Sequence, residues 1–502
     1  MYAKINMDAM TFDISTLFQN IWSMLGYDPN NPLIFNSGLF WVLFLFFLPI
    51  YGMLKSRRTQ MMIFVVAFSL YFFYKSSGLY FLLLVATSLI DWFIAKQIKQ
   101  EPTVKMRRFW LTVSIVLSVG TLGFFKYSNF VIANLNDLLH NNFQPLDLLA
   151  PLGISFYTFR TISYVVDVYK GKIEPTVNWL DYLFYLSFFP VLAMGPIVRA
   201  SHFLPQLKEN KKPTKSMVYS GFWQALLGVI KKAIFADYFG QYTTIAFGSA
   251  DGYSGFELAM ATMGFAMQIY CDFSGYSDMA IGLGRMMGFD LGINFDFPYR
   301  SLNVTEFWKR WHISLSSWLM DYVYIPLGGN RRGKPRQYFN LMATMLIGGL
   351  WHGAAWNFVV WGGVHGVALC IHKMTKKPLD RLFPSDNKLV IFCCWLITFI
   401  YSAFAMMLLT ADMSTAWTVI TKSFTDFDLA YLVPFFTARK MWCYLIIIIF
   451  ALHFVPKKVY SLLSTLFVKS HWAVKLVVFI IVVQLVIQFS SEEVQPFIYG
   501  QF

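Results

Sequence analysis

Apolar runs of near-spanning length recur from residue 39 to residue 489, each closed by a short polar or basic loop. A helix that crosses a bilayer needs about 20 mostly apolar residues. The pattern therefore predicts membrane helices over 39–54, 61–75, 78–95, 109–130, 152–168, 217–248, 256–284, 389–410, 441–455 and 472–489. Two further stretches, 179–199 and 304–326, are apolar but interrupted by Pro, Gly or charge, and a pair, 338–350 and 354–372, is separated by little more than Trp351, His352 and Gly353. No polar block between these runs is large enough to fold alone. The expectation is an all-α polytopic membrane protein in which 39–489 forms one membrane domain, flanked by segment 1–38 and tail 490–502.

Composition agrees: of 502 residues 57% are hydrophobic and 14% charged, against about 25% charged in a soluble chain. The net charge of +14 would suggest nucleic acid in a soluble protein, but here the positive residues sit in short loops between apolar runs, where they orient helices and meet anionic lipid headgroups. No nucleic-acid partner is expected. The five cysteines, Cys271, Cys370, Cys393, Cys394 and Cys443, lie in or beside apolar runs without metal-ligand spacing, and read as small buried hydrophobes. The N-terminus shows no basic stretch followed by an apolar run, so no cleavable signal is expected.

Loop charge sets sidedness. Lys55, Arg57 and Arg58 after the first helix place that loop in the cytoplasm and the N-terminus outside, and the clusters 96–108, 208–215, 331–336, 373–381 and 457–469 return to the cytoplasm. The acidic loop 411–438 and the tail with Glu492 and Glu493 fall outside. The chain between the cytoplasmic clusters 331–336 and 373–381 must then enter the membrane and come back. From Arg336 to His352 a helix rises only about 24 Å, against a hydrocarbon core about 30 Å thick, so His352 lies deep, at the top of a helical hairpin. Segment 304–326, between Arg300 and Arg331, reads as re-entrant and brings His312 into the same interior. Irregular backbone at that depth is tolerated only where protein buries it or it lines a wet cavity.

Ionisable groups inside a membrane are costly and mark functional sites. His312 stands among Trp308, Trp311 and Trp318, and His352 among Trp351, Trp356 and Trp361. A neutral imidazole can take the proton of a hydroxyl as it attacks a carbonyl and return it to the leaving group. The competing reading of any one buried histidine is a hydrogen-bonded structural residue, which is how His365 is read; His140, His202, His372, His453 and His471 fall in or near loops. The chain has no G-x-S-x-G elbow, H-E-x-x-H, P-loop or dinucleotide fingerprint, which speaks against a serine hydrolase, zinc, ATP or NAD.

The runs YCDFSGYSDMAIGLGRMMGF (270–289), FWKRWHISLSSWLMDYVYIPLGGNRRG (307–333) and GGLWHGAAWNFVVWGGVHG (348–366), with PLGISFYTFRTISYVVDVYKG (151–171) and FFPVLAMGPIVRASHFLPQL (188–207) upstream, resemble the membrane-bound O-acyltransferase (MBOAT) family. PLGGNRRG and WHGAAW look like its bacterial alginate O-acetylation branch. The resemblance implies a helical bundle with re-entrant segments around a central funnel, His352 as the catalytic histidine and His312 as its support. It also implies a cytoplasmic thioester donor, acetyl-CoA or an acylated carrier protein, with no bound cofactor or metal. The acceptor hydroxyl is extracytoplasmic, the partner an extracytoplasmic acetyltransferase or glycan, and the setting the bacterial inner membrane. The tail QPFIYGQF (495–502) is similar to the branch's C-terminal FIY motif and places Tyr499 as an acyl relay, against the plainer reading of an interfacial aromatic anchor.

Supporting roles follow from spacing. Trp351 and Trp311 are expected to line the funnel. Asp272, Ser274, Tyr276 and Asp278 form a polar strip whose carboxylates would pair with Arg285, Lys309 or Arg310. Asp321 is a candidate orienter of His312, and Asn357 a candidate partner of His352. The PLGGN turn needs positive φ, and the basic patch 331–336 beside it could attract an anionic donor as well as lipid. D-alanyl transfer to teichoic acid remains open within the same class, and a proton-coupled transporter or flippase from another; the helix pattern shows no inverted repeat of the kind many transporters have.

Overall fold

The computed structural model describes residues 23–29, 32–382 and 387–489. Among these residues there is no strand. The helices are α1 Gly38–Leu54, α2 Arg58–Ser77, α3 Phe81–Gln100, α4 Val104–Leu139, α5 Ile154–Tyr169, α6 Trp179–Ser187, α7 Ala200–Glu209 and α8 Lys215–Val229. They continue as α9 Asp237–Gly248, α10 Gly255–Met286, α11 Val304–Arg310, α12 Ile313–Leu319, α13 Lys334–His352, α14 Trp356–Leu382 and α15 Lys388–Met407. The last are α16 Met413–Thr425, α17 Leu432–Ala438, α18 Lys440–Phe454, α19 Lys457–Lys469 and α20 Trp472–Phe489.

Each predicted span coincides with a helix to within a few residues, except that α4 runs on to Leu139, α14 runs on to Leu382, and 217–248 is one rod in which residues 230–236 form a π-helical turn between α8 and α9. Segment 179–199 is helical only to Ser187. Pattern alone did not show α7, α16, α17 or α19, which are too short and too polar to register as spans. Four segments are by themselves long and apolar enough to cross a membrane: Arg58–Gln100, Val104–Leu139, Lys388–Met407 and Trp472–Phe489. α17 and α18 pass that test only together and meet at a 100° bend. α1 is as apolar but one residue too short, whereas α10 carries polar groups because protein surrounds it: it buries nearly its whole circumference, including Asp272.

Close backbone approach, enabled by small residues, replaces the hydrophobic driving force between helices in a membrane. α8 and α10 cross at two glycine pairs. A Cβ on Gly221 would lie 2.5 Å from Gly282 O, and one on Gly228 would lie 2.5 Å from Gly275 O. This contact sets the π-helical turn against the polar strip of α10. There Lys232 Nζ pairs with Asp272 (2.6 Å) and Asp237 (2.8 Å), and Lys231 with Asp278 (2.6 Å). Of the partners expected from spacing, Arg310 is engaged instead with Glu306 and Asp296. A π-turn adds a residue per turn, and so brings two consecutive lysines to two carboxylates six positions apart.

α13 and α14 pack as the expected hairpin, again through glycine: a Cβ on Gly349 would meet Phe358 O at 2.3 Å, and one on Gly362 would meet Met345 O at 2.4 Å. The turn before α13 uses Gly328 (φ +112) and Gly329 (φ +56), conformations glycine alone adopts without strain. Asn340 Nδ2 donates to Gly329 O (2.8 Å) and fixes that turn to the hairpin. Cys271, Cys370 and Cys443 are buried as expected, whereas Cys393 and Cys394 face outward on α15.

Candidate active site

α13 ends at His352, and Gly353 leaves it in an extended conformation (φ −164, ψ 161). His352 is thus the last helical residue at the tip of the hairpin. His312 occupies the break between α11 and α12, with φ +41. Left-handed backbone in a non-glycine residue costs roughly 1–3 kcal/mol and gathers at functional sites. Asn294 holds the α12 side of this break with both backbone and side chain: Ile313 N donates to Asn294 O (2.9 Å) and Ser314 Oγ donates to Asn294 Oδ1 (2.8 Å).

The two histidines belong to one row of buried rings. Phe273 lies edge-on to His312 (4.6 Å between centroids), His312 faces Trp351 (5.9 Å), Trp351 meets His352 (4.9 Å), and His352 meets Trp361 (4.7 Å). Trp318 stacks on Phe159 (3.9 Å), which stacks on Trp351 (5.3 Å), and Trp318 Nε1 donates to Phe159 O (2.9 Å). Both histidines are buried. Neither ring nitrogen of His312 has a hydrogen-bond partner among the described residues, and each unmet buried group costs about 1–3 kcal/mol. Such a ring is held by shape and left with its chemistry unspent.

A cavity of about 450 Å³ reaches this row. Its walls come from Tyr27, Pro29 and Pro32 near the N-terminus, from 149–156 at the start of α5, from Ala193 and Met194, and from Trp351 and His352. His352 thus borders the cavity, while His312, in ring contact with Trp351, is not among its lining residues.

The other candidates take different places. Trp311 is fully buried against Phe295 (5.1 Å) and Phe307 (5.7 Å), away from the cavity wall. Asn357 Nδ2 donates to Leu408 O (2.9 Å) and ties the hairpin to the end of α15. Asp321 does not orient His312: its carboxylate pairs with Arg199 (3.1 Å), so it joins the π-helical stretch after α12 to the start of α7. Asp272 lines a second, polar cavity of about 380 Å³ with Lys232, Asp237, Gln268 and Thr243. His365 accepts or donates at Nδ1 to Tyr401 Oη (2.8 Å), a bond that serves the fold. His453, placed near a loop by pattern, is buried and accepts from Tyr299 N (3.1 Å). Tyr499 lies outside the described residues.

Sequence reasoning missed Lys126. From the middle of α4 its Nζ donates to Trp351 O (2.6 Å) and His352 O (2.8 Å). The signal was available, because a lysine within an apolar run is an intramembrane charge.

The sequence profile of the membrane-bound O-acyltransferase family matches residues 173–410. The chain is 36% identical over 400 residues to the peptidoglycan O-acetyltransferase of Helicobacter pylori, covering 73% of this chain and 75% of the relative. To the probable alginate O-acetylase AlgI of Azotobacter vinelandii it is 34% identical over 434 residues, covering 84% and 85%. Similarity extends to the teichoic acid D-alanyltransferase of Bacillus subtilis, 28% identical over 243 residues, covering 46% of this chain and 61% of the relative. A polytopic helical chain, with a histidine at the tip of a buried hairpin and these relatives over most of its length, belongs to the membrane-bound O-acyltransferase family and is a membrane-bound O-acyltransferase.

Proposed function

We propose that this protein transfers an acetyl group from a cytoplasmic thioester through the membrane to a hydroxyl on the extracytoplasmic side, for the O-acetylation of an exported or cell-wall polysaccharide. The observation that carries the reading is His352 on the wall of the 450 Å³ cavity, on a hairpin whose two ends carry the basic clusters 331–336 and 373–381. Those clusters favour a cytoplasmic base for the hairpin, with its tip inside the membrane, and on this reading the cavity is the acceptor's entrance. Arg331, Arg332, Lys334 and Arg336 then stand where a phosphate-bearing donor, coenzyme A or a carrier protein, would approach, and their charge favours its encounter.

His352 acts as general base. The acceptor O–H loses its proton to the imidazole while its oxygen attacks the thioester carbonyl; the new C–O bond forms, the C–S bond breaks, and the departing sulfur takes the proton back. The aromatic wall of Trp351, Phe156 and Trp361 keeps bulk water from competing for the acyl group. His312 supports Trp351 by ring contact. Tyr499 serves as an acyl carrier between the cavity and an extracytoplasmic acetyltransferase, which splits one hard transfer into two easier ones. The protein resides in the bacterial inner membrane with both termini outside.

D-alanyl transfer is the second reading, supported by the teichoic acid relatives; acetyl transfer is favoured because the acetyltransferase relatives match far more of the chain. The test is a cysteine at Ser155, on the cavity wall, in a chain whose exposed Cys393 and Cys394 are replaced by Ser. A membrane-impermeant maleimide added outside is expected to label it and stop glycan acetylation in cells. Labelling from the cytoplasmic side alone would reverse the proposed direction.

A further inference from the structure

A helix leaves its last four carbonyls without intrahelical partners. α13 meets this at a place that matters, because its last residue is His352. Two adjacent side chains of α4 supply what is missing: Tyr127 Oη donates to Leu350 O, and Lys126 Nζ donates to Trp351 O (2.6 Å) and His352 O (2.8 Å). The same face of α4 continues at the i+4 spacing that aligns residues on a helix. Phe130 lies edge-on to Trp356 (5.8 Å), and Asn134 Oδ1 accepts from Trp356 Nε1 (3.0 Å). Positions 126, 127, 130 and 134 thus template the hairpin from Leu350 to Trp356.

A second observation sets Lys126 apart from an ordinary cap. Besides His352 it is the one residue with an ionisable basic side chain among the described residues lining the cavity, yet α4 is otherwise largely exposed and apolar. An ammonium group in such a run is costly, and a tyrosine or serine would cap a carbonyl at lower cost. A cation adds attraction to the negative end of the α13 dipole and two charge-assisted bonds, which are shorter and stronger than neutral ones.

We propose that Lys126 is a positioning residue for His352: by holding the carbonyls of Trp351 and His352 it fixes the end of α13, and with it the imidazole, at the wall of the cavity. The inference rests on His352 as the base and deepens that reading. Displacing a reacting group by about 1 Å costs roughly 100-fold in rate, and kcat should carry that loss, because the thioester is bound elsewhere.

The experiment uses purified full-length protein in detergent, labelled acetyl-CoA and a soluble oligosaccharide acceptor. Lys126→Met is expected to lower kcat about 100-fold, with the KM for acetyl-CoA within twofold of the parent. Lys126→Cys, in the background with Cys393 and Cys394 replaced by Ser, should be equally impaired and regain most of its kcat on aminoethylation with 2-bromoethylamine, which rebuilds the lysine cation with sulfur in place of its γ-methylene. A role in folding alone could not be restored in the folded protein after purification. Adding Lys126→Met to His352→Ala should produce no further loss, since both changes remove one function. The proposal is overturned if Lys126→Met keeps kcat within threefold of the parent, or if complete aminoethylation, verified by mass, returns no activity. A fully active His352→Ala variant would instead sink the base assignment on which it rests.

Discussion

Gly362 and Gly363 are neighbours on α14, and alanine at each should have opposite consequences. At Gly362 a Cβ would stand 2.4 Å from Met345 O and 3.0 Å from Leu346 Cα, both backbone atoms of α13. At Gly363 the nearest atom is Leu346 Cδ2 at 3.9 Å, an ordinary contact. Ordinary van der Waals separation begins near 3.4 Å, so Gly362→Ala forces the two helices of the hairpin apart by about 1 Å, a displacement worth roughly 100-fold in rate when it moves a catalytic group. Overpacking of this kind costs about 1–3 kcal/mol, partly offset by the roughly 1 kcal/mol that alanine gains over glycine in a helix. Gly363→Ala receives only that gain. Acetyl transfer by purified protein and the thermal midpoint in the same detergent give both numbers. The expected result is a large loss of kcat with modest destabilisation at 362, and near-parental kcat with an unchanged or raised midpoint at 363. Equal activity of the two variants would refute the view that glycine-mediated contact between α13 and α14 sets the position of His352.

The remaining predictions concern other parts of the bundle. Lys232→Met removes the cation shared by Asp272 and Asp237, and breaking a buried ion pair on one side costs about 3–5 kcal/mol; a thermal midpoint within 2 °C of the parent would contradict it. With acetyl-CoA present and acceptor withheld, intact mass should show one acetyl group on the tail at Tyr499. No adduct together with a fully active Tyr499→Phe variant would reduce the tail to an anchor. Asp412 caps α16 by accepting from Thr415 N (2.8 Å) and Ser414 Oγ (2.7 Å). The Thr415 N–H foremost, with Ser414, holds its carboxyl below the usual carboxylate range. A depressed folded value means the cap is fully present above the unfolded value and is lost as pH falls through the folded one. Amide exchange in the first turn of α16, corrected for intrinsic rate, should therefore rise on acidification below pH 4 in the parent and be high throughout in Asp412→Ala.

What could be read from the chain follows from the range of the forces involved. Helix positions and the hairpin were legible because hydrophobicity and loop charge act locally; the depth of His352 is an expectation drawn from the 16 residues after Arg336 and the thickness of a bilayer. That 304–326 is interrupted was legible from its composition and flanking charges, but not that the break falls at His312. Partnerships over long separations were not. Asp321 lies nine residues from His312, yet its partner is Arg199, 122 positions upstream. Lys232 replaced the expected arginines as the partner of Asp272 because a π-helical turn, invisible to a 3.6-residue pattern, rotates two lysines toward α10. Lys126 escaped notice for a simpler reason: one charge in a long apolar run barely disturbs the pattern, although by the cost of burying it, it was the most informative residue of α4.

The claim on which the rest depends is that His352 moves an acyl group from one side of a membrane to the other. Proteoliposomes of uniform orientation, loaded inside with labelled acetyl-CoA and given oligosaccharide acceptor outside, measure this in one step. The account predicts label on external acceptor with the parent protein, and none above protein-free vesicles with His352→Ala reconstituted to the same density. Label that stays on internal products with the parent, or appears outside at the parental rate with His352→Ala, would contradict it.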